Sequence, residues 1–327
     1  MNRPTRRSIG AGILGASALA ALPAAAQAWP ARPIRIIVPF PPGGSTDLLA
    51  RRLAERMTTS LGQTVVVENR PGAGGTTGAD MVAKSPPDGH TLLVGVTGSN
   101  AIAASLFPNL PYDPVRDFAP VSRLVSAPLV LVVTARHPAQ DLAGFIAAAR
   151  AGSGGPITYA TPGNGTSMHL TGEMFAQAAR VALQHVPYRG SAQATTDLIA
   201  GQVQSSFADL LVSLPHIQSG AIRAIAVTSR ERHPLLPSVP TIHEAGLPGF
   251  EAASWQGLFA PAGTPPAILA RLHAEVVATL AAPEVRAPFA RQGFIVGATT
   301  PDEFAAFIRE EVSKWREVVR AGNIRPD

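Results

Sequence analysis

The chain has 327 residues, with 27 basic and 22 acidic side chains, eight histidines and no cysteine. That composition excludes a disulfide framework, a thiolate metal site and a lipid-bearing N-terminal Cys. The length fits roughly two domains. The formal charge of +5 is not gathered into a basic block and aromatics are few, so no nucleic-acid partner is expected.

Residues 1–28 read as a secretory signal peptide. Arg3, Arg6 and Arg7 make a positive start, "IGAGILGASALAALPAAA" is mildly apolar, and "AQA" at 26–28 fits a small-residue cleavage site. Glycines and Pro23 break the run, which is too short to read as a membrane anchor. The Arg6–Arg7 pair fits twin-arginine export, and Sec export fits equally. Cutting after Ala28 removes three arginines and no acid, leaving +2. No other apolar run is of membrane-spanning length, so a soluble, exported protein is expected.

Beyond the leader, β-branched runs alternate with helical periodicity. "IRIIVPF" (34–40), "TVVVEN" (64–69) and "TLLVGVT" (91–97) predict strands, with "TDLLARRLAERMTTSLG" and "TTGADMVAKS" as helices between them. After the proline-rich connector "PNLPYDPVRDF" come "PLVLVVT" (128–134), "ITYAT" (157–161), "VALQHVPY" (181–188), "VQSSFAD" (203–209) and "AIRAIAVTS" (221–229). A second proline-rich stretch, "RHPLLPSVPTIHEAG", precedes one more strand, "QGLFAPAG", and three helices. The last helix should start at Pro301 and Asp302 and end at Gly322. Repeated βαβ units predict an α/β fold with open, mostly parallel sheets. The chain should leave one lobe, build a second and return: 29–128 with 239–327 as lobe one, 129–238 as lobe two. Crossings near 125–130 and 230–240 would form the hinge.

Ligands of open α/β sheets bind beyond the carboxyl ends of the strands. Four loops at such places share glycines and hydroxyls: "PFPPGGSTD" (39–47), "ENRPGAGGTT" (68–77), "TGSN" (97–100) and "TPGNGTSMHL" (161–170). Each leads into a helix, whose first N–H groups can hold a carboxylate or phosphate without a cationic side chain. Gly43, Gly44, Ser45, Thr46, Gly74, Gly75, Ser99 and Asn100 should form one wall. Gly163, Gly165, Thr166, Ser167, Tyr188, Arg189 and Asp209 should form the other. Asp47 is most simply the helix N-cap. Arg189 can pair with a ligand carboxylate or lie at the surface beside a turn. Asp209 can accept from a ligand amine or hydroxyl, or brace a loop.

Nucleotide and hydrolase motifs fail. "GAGGTTG" (72–78) lacks the third glycine of GxGxxG and follows the second strand, and no GxxxxGK[ST] is present. There is no GxSxG elbow. Ser167 and His169 stand two apart at a helix start, where side chains do not face one another, so a triad with Asp209 is disfavoured. The histidines show no metal-ligand spacing, and neither metal nor cofactor is expected.

"WPARPIRIIVPFPPGGSTDLLAR", "VVENRPGAGGTTGADMVAKSPPDGHTLL", "NGTSMHLTGEMF" and "VPYRGSAQATTDLIAGQV" together resemble the Bug family, the periplasmic substrate-binding components of tripartite tricarboxylate transporters. The resemblance spans about 30–325. It implies a two-lobe, periplasmic-binding-protein-like α/β fold that closes on a small carboxylate, with Pro39 to Asp47 and Gly163 to Ser167 as opposing walls. It also implies a non-catalytic monomer serving membrane permease subunits. An exported hydrolase using Ser167, or a sensor feeding a signalling partner, are the alternatives on the same scaffold.

Overall fold

The computed structural model describes residues 29–325; the expected signal peptide lies outside them. The first strand, β1 (Ile34–Val38), runs into α1 (Ser45–Leu61), β2 (Val65–Asn69), α2 (Thr76–Ala83) and β3 (Thr91–Val96). Leu49, Leu53 and Met57 recur at helical spacing on the buried face of α1, and Gly62 ends it in the left-handed region. A 3-10 turn at 73–75 precedes α2, and a π turn at 98–102 leads into the one-turn α3 (Ala103–Leu106).

The chain then forms β4 (Phe118–Thr134), α4 (Leu142–Ala151), β5 (Ile157–Thr161), α5 (Ser167–Ala179), β6 (Leu183–Pro187), α6 (Ser191–Ala200), β7 (Ser205–Asp209), α7 (Leu210–Gln218) and β8 (Ile222–Val227). It closes with β9 (Ala253–Pro261), α8 (Pro266–Ala281), α9 (Pro283–Arg291), β10 (Ile295–Val296) and α10 (Pro301–Gly322). Thr300 caps α10 in a reciprocal box with Glu303. Asn323, not Gly322, takes the left-handed C-terminal position; Gly322 is the last helical residue, where a side chain would meet Gln177.

The strand order is β2-β1-β3-β9-β4-β7-β5-β6, with β8 and β10 also on β4. The pairings β1–β2, β1–β3, β5–β6 and β5–β7 are parallel, as the βαβ pattern requires. All pairings of β4 and β9 are antiparallel, so the sheet is mixed. The decisive element is β4, whose 17 residues exceed the predicted 128–134. Residues 118–128 pair with β9 and 129–133 with β7, so one strand serves both halves of the sheet. Pro120, Arg123 and Ser126 hide the first part from an apolar-run search, and register shifts between 120 and 125 accommodate the proline.

Helix α10 is fixed to β9 by one buried carboxylate. Glu311 Oε2 accepts both indole N–H groups, from Trp255 and Trp315, each at 2.9 Å. Trp255 and Trp315 are fully enclosed, and Phe304 packs edge-on against Trp255. Each buried donor left unpaired costs about 1–3 kcal/mol. Glu311→Ala should therefore lower unfolding stability by about 2–5 kcal/mol, read as a fall in the urea midpoint without a change in slope. A shift below ~1 kcal/mol would show that the two indoles are not held by this carboxylate.

Candidate functional site

A cavity of about 610 Å³ opens where the parallel strands end. Its walls come from the segments after β1, β3, β5, β6 and β7, with Ser254 and Gln256 from β9. This is the carboxyl-end crevice of an open α/β sheet, and its size suits a small organic ligand.

The segment after β1 supplies Phe40, Pro41, Pro42, Gly43, Gly44, Ser45 and Thr46. Gly43 has φ +90°, a conformation that only glycine adopts cheaply. The N-cap of α1 is Gly44, which has no side chain to spend on the first-turn N–H groups. Asp47 is therefore not the cap that its position suggests. It lies inside the first turn, and its carboxylate reaches back to accept the Gly43 N–H at 3.0 Å. Arg51 donates to both of its oxygens and Asn69 Nδ2 to one, each bond 2.9 Å. Asn69 Nδ2 also reaches the Phe40 carbonyl at 3.0 Å. Asp47 thus braces the loop and leaves the helix start open.

The second group enters from β5, β6 and β7. Thr166 and Ser167 line the cavity with Pro162 and Met168. The Thr166 hydroxyl is already committed: it accepts from His169 N–H and donates to the Gly163 carbonyl. Ser167 has no such bond among the described residues. Arg189, Gly190, Ser191 and Gln193 follow β6. Gly190 is the N-cap of α6 and, like Gly44, caps with no side chain. Asp209 ends β7 and is the N-cap of α7, again without a side-chain bond to the helix. Burial raises its carboxyl to about 7. The Gln256 Nε2 donates to Ser45 Oγ at 3.0 Å, which leaves the Ser45 proton to point elsewhere.

Of the residues expected from sequence, Gly43, Gly44, Ser45, Thr46, Thr166, Ser167, Arg189 and Asp209 meet at this cavity. Gly74, Gly75, Ser99, Asn100, Gly163, Gly165 and Tyr188 do not line it. A side chain on Gly74 would strike the Asn164 carbonyl, and one on Gly165 would meet Leu106 and Phe107. Gly163 gives its carbonyl to Thr166. Gly75 is wedged against Pro39 and Ser99. Ser99 and Asn100 are fully buried and bonded to each other at 2.7 Å. Tyr188 hydrogen-bonds Asp197; burial and that carboxylate raise its hydroxyl to about 12. Sequence reasoning missed Gly98, Pro162, Gly190, Ser191, Gln193, Leu211, Val212, Ser254 and Gln256, among others. Gly98, Pro162, Gly190, Ser191 and Gln193 lie in segments the sequence had singled out, and Gln256 opens the predicted last strand; Leu211, Val212 and Ser254 carry no local signal.

The Ser167–His169 pair has no triad geometry to recommend it. The Nδ1 of His169 accepts the Gly165 N–H at 3.1 Å, and its ring stacks on His185 with centroids 3.9 Å apart. His169 thereby shapes the 163–166 turn.

With this fold and this cavity, the class is that of the periplasmic binding proteins. A solved structure from R. palustris with adipate superposes with TM-score 0.85, at 36% identity over 91% of this chain and all of that one. MatC from Rhodopseudomonas palustris, with bound malate, gives 0.83 at 37% identity, over 89% of this chain and all of that one. The protein BugT of Bordetella pertussis is 42% identical across 94% of this chain and 95% of its own. The model of the tripartite tricarboxylate transporter family receptor, TctC, matches residues 49–324. The chain belongs to the TctC family of receptors. Among the described residues, no helix is long and apolar enough to cross a membrane.

The brace at Asp47 has a pH signature. Burial pushes its carboxyl up, but the bonds from Arg51, the Gly43 N–H and Asn69 outweigh that and hold it below the usual carboxylate range. A depressed folded value means that the stabilisation is complete above the unfolded value of about 4 and is lost as pH falls through the folded one. Acid unfolding of Asp47→Asn should therefore show a shallower loss of stability below about pH 4 than the parent. Parallel curves would show that the Asp47 carboxylate does not stabilise the fold through these bonds.

Proposed function

We propose that this chain is an exported, non-catalytic solute receptor that closes two lobes on a small carboxylate and delivers it to membrane subunits of a tripartite tricarboxylate-type transporter. One lobe comprises 29–128 and the residues from 239 on; the other is 129–238. The observation that carries this reading is the pair of uncapped helix starts, α1 at Gly44 and α6 at Gly190, that open on one cavity from opposite halves of the sheet. Backbone N–H groups at such starts bind anions through directed bonds and the helix dipole. Arg189 adds a cation with no partner among the described residues. The relatives solved with adipate and malate give the same ligand class.

Closure has a physical contact to act through. A Cβ on Gly98 would stand 2.8 Å from the Gly165 carbonyl and 3.3 Å from that of Gly74. The β3 and β5 loops therefore touch backbone to backbone, and the ligand stabilises the closed form by bridging both sides.

Two measurements test the reading. In a thermal-shift screen of purified protein, a carboxylate at ~100 Kd should add about 2.7 kcal/mol to stability; stabilisation only by neutral sugars or cations would sink the proposal. Gly98→Ala, which adds one methyl where the loops meet, should weaken carboxylate binding roughly tenfold (about 1.4 kcal/mol) while leaving circular dichroism unchanged. Undiminished affinity would show that the loop contact has no part in closure.

A further inference from the structure

Among the described residues, four carboxylates are buried nearly completely, and three of them are supplied with donors by the protein. Asp47 has the Gly43 N–H, Arg51 and Asn69. Glu275 has Arg271 and the Ser60 hydroxyl. Glu311 has two indoles. The fourth, Asp209, is 7% exposed and lines the cavity, yet its carboxyl has no hydrogen bond or ion pair among the described residues. Its neighbours in a small side recess include Pro162, Met168, Ser191, Ala208 and Val212, none of them titratable. Across the sheet it faces Leu129 of β4. The cavity's other ionisable residue, Arg189, is exposed and likewise unpartnered.

A nearly buried carboxyl without a protein donor is costly unless whatever occupies the cavity satisfies it. Asp209 stands on the cavity wall, where a bound ligand can supply the missing donor. The uncapped starts of α1 and α6 and Arg189 offer donors; Asp209 offers an acceptor. A ligand that is only a dicarboxylate meets the first and opposes the second. We infer that Asp209 is a specificity-determining acceptor and that the ligand is a carboxylate carrying a hydrogen-bond donor, an ammonium or a hydroxyl, that meets this side chain. The inference rests on the carboxylate-receptor reading above and narrows its substrate class.

The pH dependence separates the two donors. Burial places the Asp209 carboxyl at about 7, so an ammonium ligand, which needs the ionised form, should bind more tightly as pH rises toward that value and level off above it. A hydroxyl ligand bonds either form and should vary little. A plain dicarboxylate that uses the protonated acid as donor should instead bind more weakly as pH rises.

The test is calorimetric titration of the intact protein, and of Asp209→Asn and Asp209→Ala, with matched sets. These are succinate, malate and aspartate; glutarate, 2-hydroxyglutarate and glutamate; adipate, 2-hydroxyadipate and 2-aminoadipate. In at least one set, the hydroxy or amino member should bind roughly tenfold or more tightly than its parent. Asp209→Ala should erase that advantage, and Asp209→Asn should spare it for a hydroxyl and erase it for an ammonium. Because Asp209 makes no side-chain bond to its helix, both variants should fold. As an independent check, the unliganded parent should lose stability as pH rises from about 4 to about 7 relative to Asp209→Asn. Parent diacids that bind as tightly as their derivatives, or an Asp209→Ala loss shared equally by all members, would overturn the inference and leave the carboxylate receptor standing. Binding of none of the compounds would overturn the receptor reading and this inference with it.

Discussion

Helix starts carry N–H groups that the helix itself cannot satisfy, and the architecture of this chain gathers several of them at one place. α1, α5, α6 and α7 all begin at the rim of the same cavity. At α5 the Thr166 side chain takes up the first turn. At α1 and α6 a glycine stands at the cap and takes up nothing. On the proposed reading, that difference lets the cavity receive negative charge without a dense cationic pocket, and the remaining features hold those starts in position.

The holding is done at two scales. Locally, Asp47 ties the Gly43 N–H, Arg51 and Asn69 into one knot, so the loop after β1 is fixed by a residue that does not enter the cavity. Across the molecule, β4 pairs with β9 through residue 128 and with β7 from residue 129. The two sets of parallel strands are thereby joined through one continuous backbone. On the side of the first of these sets, Gln256 ties β9 to Ser45 at the start of α1. The backbone approach of Gly98 to Gly165 is a different kind of joint, without side chains, and in the proposed closure it is the one that makes and breaks.

Much of this was legible in the amino-acid order. The apolar runs ending in glycine and hydroxyl residues located β1, β3, β5 and β7, and the βαβ alternation gave the α/β fold. What composition could not supply was direction. The glycines at 74, 75, 163 and 165 mark close backbone approaches, but a glycine does not say whether ligand or protein approaches it; here protein does. Ser99 and Asn100 turned inward to bond each other for the same reason. Asp47 looked like a cap because its stabilising partner Asn69 lies 22 residues away. Gln256 was invisible because its partner is 211 residues distant. The first part of β4 carries polar and proline residues at bulges, where neither alternation nor an apolar run survives.

On the proposed reading, ligand carboxylate is held by backbone N–H groups at the starts of α1 and α6. Backbone-assigned amide proton–nitrogen NMR spectra recorded during titration with L-malate and L-aspartate test it most directly. Saturable downfield shifts of the Ser45, Thr46, Ser191 and Ala192 amide protons, following the same curve as the binding heat, are the predicted result. Binding that leaves those four amides unmoved would contradict it.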